Sequence, residues 1–203
     1  MRIKTLCSLI KPCNILADIG CDHALVSAYS IRNKLADKVY AVDISETAVN
    51  KAKNRLARYA GATAILSNGF TNLPEKVDTA VIAGMGGMKI IEILQQIDYR
   101  PSLVLGAQHD AYRLRNYLNT NGYKITQDFC LFDHGKFYDF ICAESGQGEV
   151  LDEIQLNYGK FFATKNPSLK IKVEKELSQL VSYGTNSSKE RISFAKEVLK
   201  WQQ

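Results

Sequence analysis

The 203-residue sequence predicts an α/β fold: one seven-stranded, mostly parallel sheet with helices packed on it, and a small helical appendage at the C-terminal end. Three observations predict it. Up to about residue 145, short β-branched runs alternate with amphipathic stretches, the pattern of βαβ units. The last two runs flank Asp133-His134-Gly135, which signals a hairpin and not a crossover. Beyond "SGQGEV" (145–150) only helical spacing remains.

The elements follow in order. "NILADIG" (14–20) reads as a strand ending in a turn, and "ALVSAYSIRNKL" (24–35) as the helix after it. "KVYAVDI" (38–44) is the second strand; Ser45 then suits the N-cap of a helix carrying Ala48, Ala52, Leu56 and Tyr59 on one face. "ATAILS" (62–67) is a third strand, and "VDTAVIAG" (77–84) a fourth, apolar enough to lie centrally. The loop "GMGG" leads into "MKIIEILQQI" (88–97); "SLVLGA" (102–107) is a fifth strand, and "AYRLRNYLNTNG" (111–122) a helix stopped by Asn121-Gly122. The hairpin arms are "YKITQDFCLF" (123–132) and "KFYDFICAES" (136–145). The spacing predicts a main domain over 1–148 and a helical region over 149–203, with a helix starting at Pro167 and ending at Gly184. Leu169, Val173, Leu177 and Leu180, with Ile192, Ala195 and Leu199, would zip two antiparallel helices.

Composition excludes several classes. The longest apolar runs are too short for a membrane span, and the opening residues too short and interrupted for a secretory leader, so a cytoplasmic protein is expected. Five cysteines, none spaced as C-x-x-C, suit reduced thiols, and no metal is expected because the three histidines lack ligand spacing. The net charge is +5, and the basic excess sits at the two ends: 10 Lys or Arg against 5 Asp or Glu in residues 1–60, and 9 against 6 in 151–203. Such ends suit a polyanion or are simply solvated helix faces.

The chemistry starts at the first turn, "LADIGCDHAL" (16–25). A dinucleotide loop would use glycines where Asp22 and Ala24 stand, so that backbone can approach a pyrophosphate. A carboxylate there repels diphosphate, and with Asp18 it favours a ligand that is cationic near the turn, such as S-adenosylmethionine. Asp43, 25 residues after Asp18, suits the ribose hydroxyls of an adenosine, as it would in a nicotinamide enzyme. Asn68, in "SNGF", meets an adenine amine or closes a plain turn. The loop "AGMGG" (83–87) lacks the Pro-Pro-aromatic signature expected for methylating an exocyclic amine; its glycines would let a flat base approach a methyl donor, or else make a tight strand-to-helix turn.

"ADIGCDHAL", "VDI", "SNGF", "DTAVIAGMGGMKIIEIL", "LRNYLNTNGYKI" and "GKFYDFI" resemble, in order, the bacterial tRNA (adenine-22-N1)-methyltransferases. The resemblance implies a Rossmann-like class I methyltransferase domain followed by C-terminal coiled-coil helices, with tRNA as substrate and S-adenosyl-L-methionine as cofactor. It places Asp18, Gly20, Cys21, Asp43, Ile44, Asn68, Gly69 and Gly84 around the cofactor, and Asp22, His23, Met85 and Gly86 at the adenine. The chain departs from the family pattern at Cys21 (usually Thr), at Asn68 (usually Asp), after Asp43 ("SETA" for Asn-x-Gly-Pro) and at Gln108-His109 (Gln-Pro). Among candidate receivers of an extruded base are Met85, Phe70 and Tyr138, with core packing the expected role of Phe70. Lys51, Lys53, Arg55, Arg58, Arg113, Arg115, Lys165, Lys170 and Lys172 are candidate phosphate contacts. A monomer without membrane attachment is expected. The rival readings are a methyltransferase acting on another RNA or a small molecule, a nicotinamide dehydrogenase, and an inactive RNA-binding relative.

Overall fold

A computed structural model describes residues 2–183 and 188–203; the helix end expected at Gly184 lies outside the described residues. Five parallel strands, β1 (Cys13–Ile19), β2 (Ala36–Asp43), β3 (Ala62–Leu66), β4 (Thr79–Met85) and β5 (Ser102–Ala107), are followed by the antiparallel β6 (Tyr123–Asp133) and β7 (Lys136–Ser145). Their order is β3-β2-β1-β4-β5-β7-β6, so the sequence of strands reverses between β1 and β4. His134 and Gly135 both have positive φ, 47° and 78°, as a two-residue hairpin turn that follows the strands' twist requires.

Helices α1 (Arg2–Leu9), α2 (Leu25–Arg32) and α3 (Glu46–Leu56) are interleaved with β1–β3 in the chain, and α4 (Gly87–Leu94) and α5 (Ala111–Thr120) with β4–β6. Period-two alternation along the strands separates two cores. Leu16, Val81 and Val104 join Leu6, Cys7 and Val26 of α1 and α2, whereas their neighbours Ala17, Ile82 and Leu105 join Ile90, Leu94, Leu114 and Leu118 of α4 and α5. The central β4 is therefore apolar on both sides, as expected of a strand covered by helices on each face. Phe70, 6% exposed, is a core residue.

The α1 helix was not expected. It lays Leu6 and Cys7 into the core, and the main-chain N–H of Arg2 donates to Asp133 Oδ2 at the hairpin tip (3.1 Å). The expected helix 24–35 is shorter, ending at Arg32, because Lys34 turns to φ 54°. Ser45 caps α3, its hydroxyl accepting from Ala48 N–H.

C-terminal to the sheet come α6 (Glu153–Tyr158), α7 (Pro167–Tyr183) and α8 (Ser188–Trp201). Asp152 and Gln155 form a reciprocal capping box on α6. The last two helices run antiparallel, since the N–H of Asn166, just ahead of α7, donates to Gln202 Oε1 just past α8 (2.6 Å) while Arg191 pairs with Glu176 farther along. Leu169, Val173, Ala195 and Val198 are buried together with Cys130 of β6 and Tyr158. Of the expected stripe, Leu169, Val173 and Ala195 are buried while Leu177 and Leu199 pack only partly, and Val198, outside the stripe, is buried with the first three.

Two expected phosphate contacts belong to this junction instead. Arg115 is fully buried: its Nε and Nη2 donate to Asp128 (2.8 and 3.0 Å), Nη2 also to Asp139 (3.1 Å), and Nη1 to the Leu156 carbonyl (3.1 Å). Lys172 of α7 donates to both Asp139 oxygens (2.7 and 3.0 Å). A buried guanidinium requires such partners, so it has no donor left for a nucleic acid. Tyr138 is likewise no landing place for a base, being 7% exposed in the α1–α2 core with the Arg2 guanidinium 5.3 Å from its ring centroid.

Candidate active site

The carboxyl ends of β1, β2 and β4 frame a cleft of about 470 Å³ at the point where strand order reverses, the usual binding crevice of such sheets. Asp18, Gly20, Cys21 and Asp22 line it from the first turn, Asp43 and Ile44 from the second, and Gly84 and Met85 from the fourth. His23 stands at its mouth. Helix α1 adds Arg2, Ile3 and Leu6, and Arg2 is the one Lys or Arg of the lining. The sequence held a signal for this: Leu6 and Ile10, four residues apart, are helically spaced apolar positions ahead of the first strand.

The first turn keeps the shape of a glycine loop without its glycines. Asp22 and Ala24 take φ 44° and 49°, in the left-handed region where L-residues are strained, and Gly20 takes φ 76°. The strain is held by backbone bonds: Gly20 and Cys21 N–H donate to the Val42 carbonyl (2.8 and 3.0 Å), and Ala24 N–H to that of Cys21 (2.7 Å). Side chains lock it further. Asp43 Oδ2 accepts from Asp22 N–H (3.0 Å) and Oδ1 from Ser45 N–H (3.0 Å). Asp18 Oδ2 accepts from the N–H and hydroxyl of Ser27 (3.0 and 2.6 Å), fastening the start of α2 to β1.

These acids lack strong cationic partners. Burial pushes the Asp18 carboxyl up to about 6 despite the two Ser27 bonds, with Asp43 adding to the rise. Asp22 is exposed, with Lys51 Nζ at 3.9 Å and His23 Nε2 at 3.6 Å, distances too long for direct hydrogen bonds. Burial likewise raises the Cys21 thiol, so it meets a ligand as a neutral, apolar group. Ile44 is 71% exposed, an uncovered apolar surface beside Asp43.

The fourth-strand loop is braced from the neighbouring one. The β4–β5 register shifts between Ala83 and Met85, and Gly84 there has φ 86° with open space where a Cβ would stand. Gln108 Nε2 donates to the Gly84 carbonyl (3.1 Å), and Gly87 N–H to that of His109 (2.8 Å). A Cβ on Gly86 would stand 2.1 Å from His109 Cε1, so Gly86 is covered by that imidazole and does not line the cleft. Its glycine serves the tight packing of two loops. His109 Nδ1 lies 2.7 Å from Asp110 Oδ2, so the imidazole covering Gly86 is itself held in place.

Asn68 stands exposed just past the end of β3, and Gly69 beside it is buried. Gly69, at φ 65°, packs under the Gln96 amide, whose oxygen accepts from Phe70 N–H (2.8 Å). The exposed cations Lys51, Lys53 and Arg55 share α3, with Arg58 in the turn just after it; Arg113 lies on α5, Lys165 just ahead of α7 and Lys170 in its first turn, so they are spread over several elements.

A reversed-order sheet with an antiparallel final hairpin, carrying carboxylates at its first two turns, defines a methyltransferase domain, and the methyltransferase-domain family matches residues 1–141. A putative tRNA methyltransferase of Mycoplasma pneumoniae is 32% identical over 78% of this chain and 78% of its own. The tRNA (adenine(22)-N(1))-methyltransferase of Bacillus subtilis is 28% identical over 78% of this chain and 70% of its own. The crystal structure of Streptococcus pneumoniae Sp1610, a putative tRNA (m1A22) methyltransferase in complex with S-adenosyl-L-methionine, superposes with a TM-score of 0.87 at 26% identity, covering 98% of each chain. The chain belongs to the methyltransferase-domain family, with relatives named as tRNA methyltransferases.

Proposed function

We propose that the protein methylates N1 of adenine 22 in the D-arm of tRNA, as a monomer in the cytoplasm, with S-adenosyl-L-methionine bound in the first-turn cleft. One observation carries the reading: three carboxylates, Asp18, Asp22 and Asp43, gather at the carboxyl ends of β1 and β2 on a glycine-shaped turn, and the buried one has no cation bonded to it. That donor set fits a cationic nucleoside and repels a dinucleotide's pyrophosphate, which argues against the dehydrogenase reading.

When bound, S-adenosylmethionine supplies an electrophilic methyl group. The chain's task is placement. Asp18 serves the ligand's ammonium end and Arg2 its carboxylate; Asp43 accepts from ribose hydroxyls; Ile44 and Cys21 offer apolar contact to the adenosine base. Gly84, open toward the cleft, admits a flat base, and Met85 packs beside it. Adenine N1 has an available lone pair and needs no base to activate it, so positioning within about 3–3.5 Å carries most of the rate. Asp22 faces the positive charge that grows on the methylated ring, and His23 orients the adenine edge or holds the turn. Lys51, Arg55, Arg58, Arg113, Lys165 and Lys170 remain as phosphate contacts, with residues 149–203 as an appendage docked on the main domain.

Methyl transfer from labelled S-adenosylmethionine into two transcripts tests this. Incorporation into tRNA carrying adenine at position 22, and none into the same tRNA with guanine there, is the expected result. Equal labelling of both, or labelling of ribosomal RNA alone, overturns it.

A further inference from the structure

Beside the cofactor cleft, α1, α2 and α3 enclose a second groove of about 470 Å³. Its lining carries four cations, Lys4, Arg32, Arg55 and Arg58, and no carboxylate. All four cations are exposed, and none makes an ion pair among the described residues. Tyr29 and Tyr59, both half-buried, supply aromatic surface between them. The Arg58 guanidinium already lies 5.1 Å from the Tyr59 ring centroid, so a flat, cation-bearing shelf is preformed. Ile3 and Leu25 line both this groove and the cofactor cleft, so the two hollows adjoin across one pair of apolar side chains.

We infer that this groove is the track for the RNA strand running away from the methylated nucleotide. The inference rests on the tRNA reading above and deepens it. A cation at a helix C-terminus is favoured by the helix dipole, which accounts for Arg32 and Arg55 as isolated residues. It does not account for Lys4 on a different helix, for the two tyrosines, or for the absence of any acid in the lining. Cations that follow a backbone, with aromatic faces between them for unstacked bases, are the recognition chemistry of single-stranded nucleic acid. A base drawn out of a folded D-arm leaves its flanking nucleotides unstacked as well, and the groove starts where that base would enter. Arg55 and Arg58 thereby act together with Lys4, Arg32, Tyr29 and Tyr59 as one surface.

The test compares the full chain with an Arg32→Gln/Arg55→Gln/Arg58→Gln variant and a matching triple-Lys variant. Affinity for the tRNA transcript is read by fluorescence anisotropy at several salt concentrations, and S-adenosylmethionine affinity by calorimetry. Each lost phosphate contact lowers the salt slope by roughly 0.7–0.9, so the Gln variant is expected to lose about two units of slope and to bind tRNA at least tenfold more weakly. The Lys variant retains the slope, and both bind S-adenosylmethionine like the parent. A Gln variant with the parent's tRNA affinity and salt slope overturns the inference. If the parent binds tRNA through these arginines yet transfers no methyl group, the groove stands and the proposed activity fails.

Discussion

Two buried carboxylates, Asp18 in the cleft and Asp139 at the helical junction, are nearly equally sealed from water, at 5% and 4% exposure, yet they titrate in opposite directions. Burial raises both. At Asp139, Lys172 and Arg115 outweigh it and hold the carboxyl below its ordinary value; at Asp18 only Ser27 donates, and the carboxyl stays up near 6. A charge network whose partners all come from the chain is a structural fastener. A buried acid held only by a serine keeps a place for a cation from outside, the role proposed for Asp18, and this contrast distinguishes the clamp from the proposed ligand site.

The contrast can be broken most forcefully at the clamp. Arg115→Met strips the buried Asp128 of its cation, leaves Asp139 with Lys172 alone, and is expected to cost about 3–5 kcal/mol, a fall in Tm on the order of 10 °C for a chain of this size, while S-adenosylmethionine affinity per folded molecule is kept. A thermal scan with calorimetry checks both, and a Tm within about 2 °C of the parent's would remove the clamp's structural role. Asp18→Asn should do the reverse. Losing a hydrogen bond to a charged partner is worth about 1.5–3 kcal/mol, so cofactor affinity drops roughly tenfold to a hundredfold, with Tm unchanged or raised. Weakened stability with unaltered affinity would make Asp18 merely a helix anchor.

The pH dependences sharpen the same pair. Because the folded Asp18 carboxyl sits at about 6, above the unfolded value of about 3.9, its contribution to stability is full below that lower value. It is eroded as pH rises toward 6. A cationic ligand needs the ionised form, so affinity should weaken below pH 6 by up to about tenfold per unit, and Asp18→Asn should abolish that slope. Asp139 has the opposite sign: its stabilisation is present above the ordinary carboxylate range and is lost as acid titrates below it. Smallest of all, Gln202→Ala removes bonds to Asn166 N–H and to the Phe162 and Thr164 carbonyls (2.6, 2.6 and 3.0 Å). It should cost about 1–2 kcal/mol, readable as a modest Tm shift.

The sheet was legible because β-branched runs, turn residues and a single hairpin signal agree on one topology, and the acids of the cleft, Asp18, Asp22 and Asp43, because they stand at or just past strand ends. What the sequence concealed has physical reasons. Arg115 in "AYRLRNYL" looks like a solvated helix face, since its acids lie on strands 13 and 24 residues later. The available signal was Asp139 itself, a charge embedded in "FYDFICA" with apolar neighbours on either side. Helix α1 spans eight residues, two turns, too few for periodicity to speak clearly. Gly86 read as room for a base because nothing local announces that His109, 23 residues on, lies against it. Gly69 read as part of the cofactor's surround because nothing local announces that it packs on Gln96, a contact set by tertiary structure.

The bond from Arg2 to Asp133 joins positions 131 residues apart. During synthesis, with the N-terminal part of a chain emerging first, α1 must wait for the hairpin before it gains this tether. A ribosome-bound intermediate containing β1 to β4 would thus hold α1 through its apolar contacts with Leu16, Val26 and Val81 alone, and the fastening of α1 to the hairpin tip becomes a late event, coupled to the final strands joining the sheet.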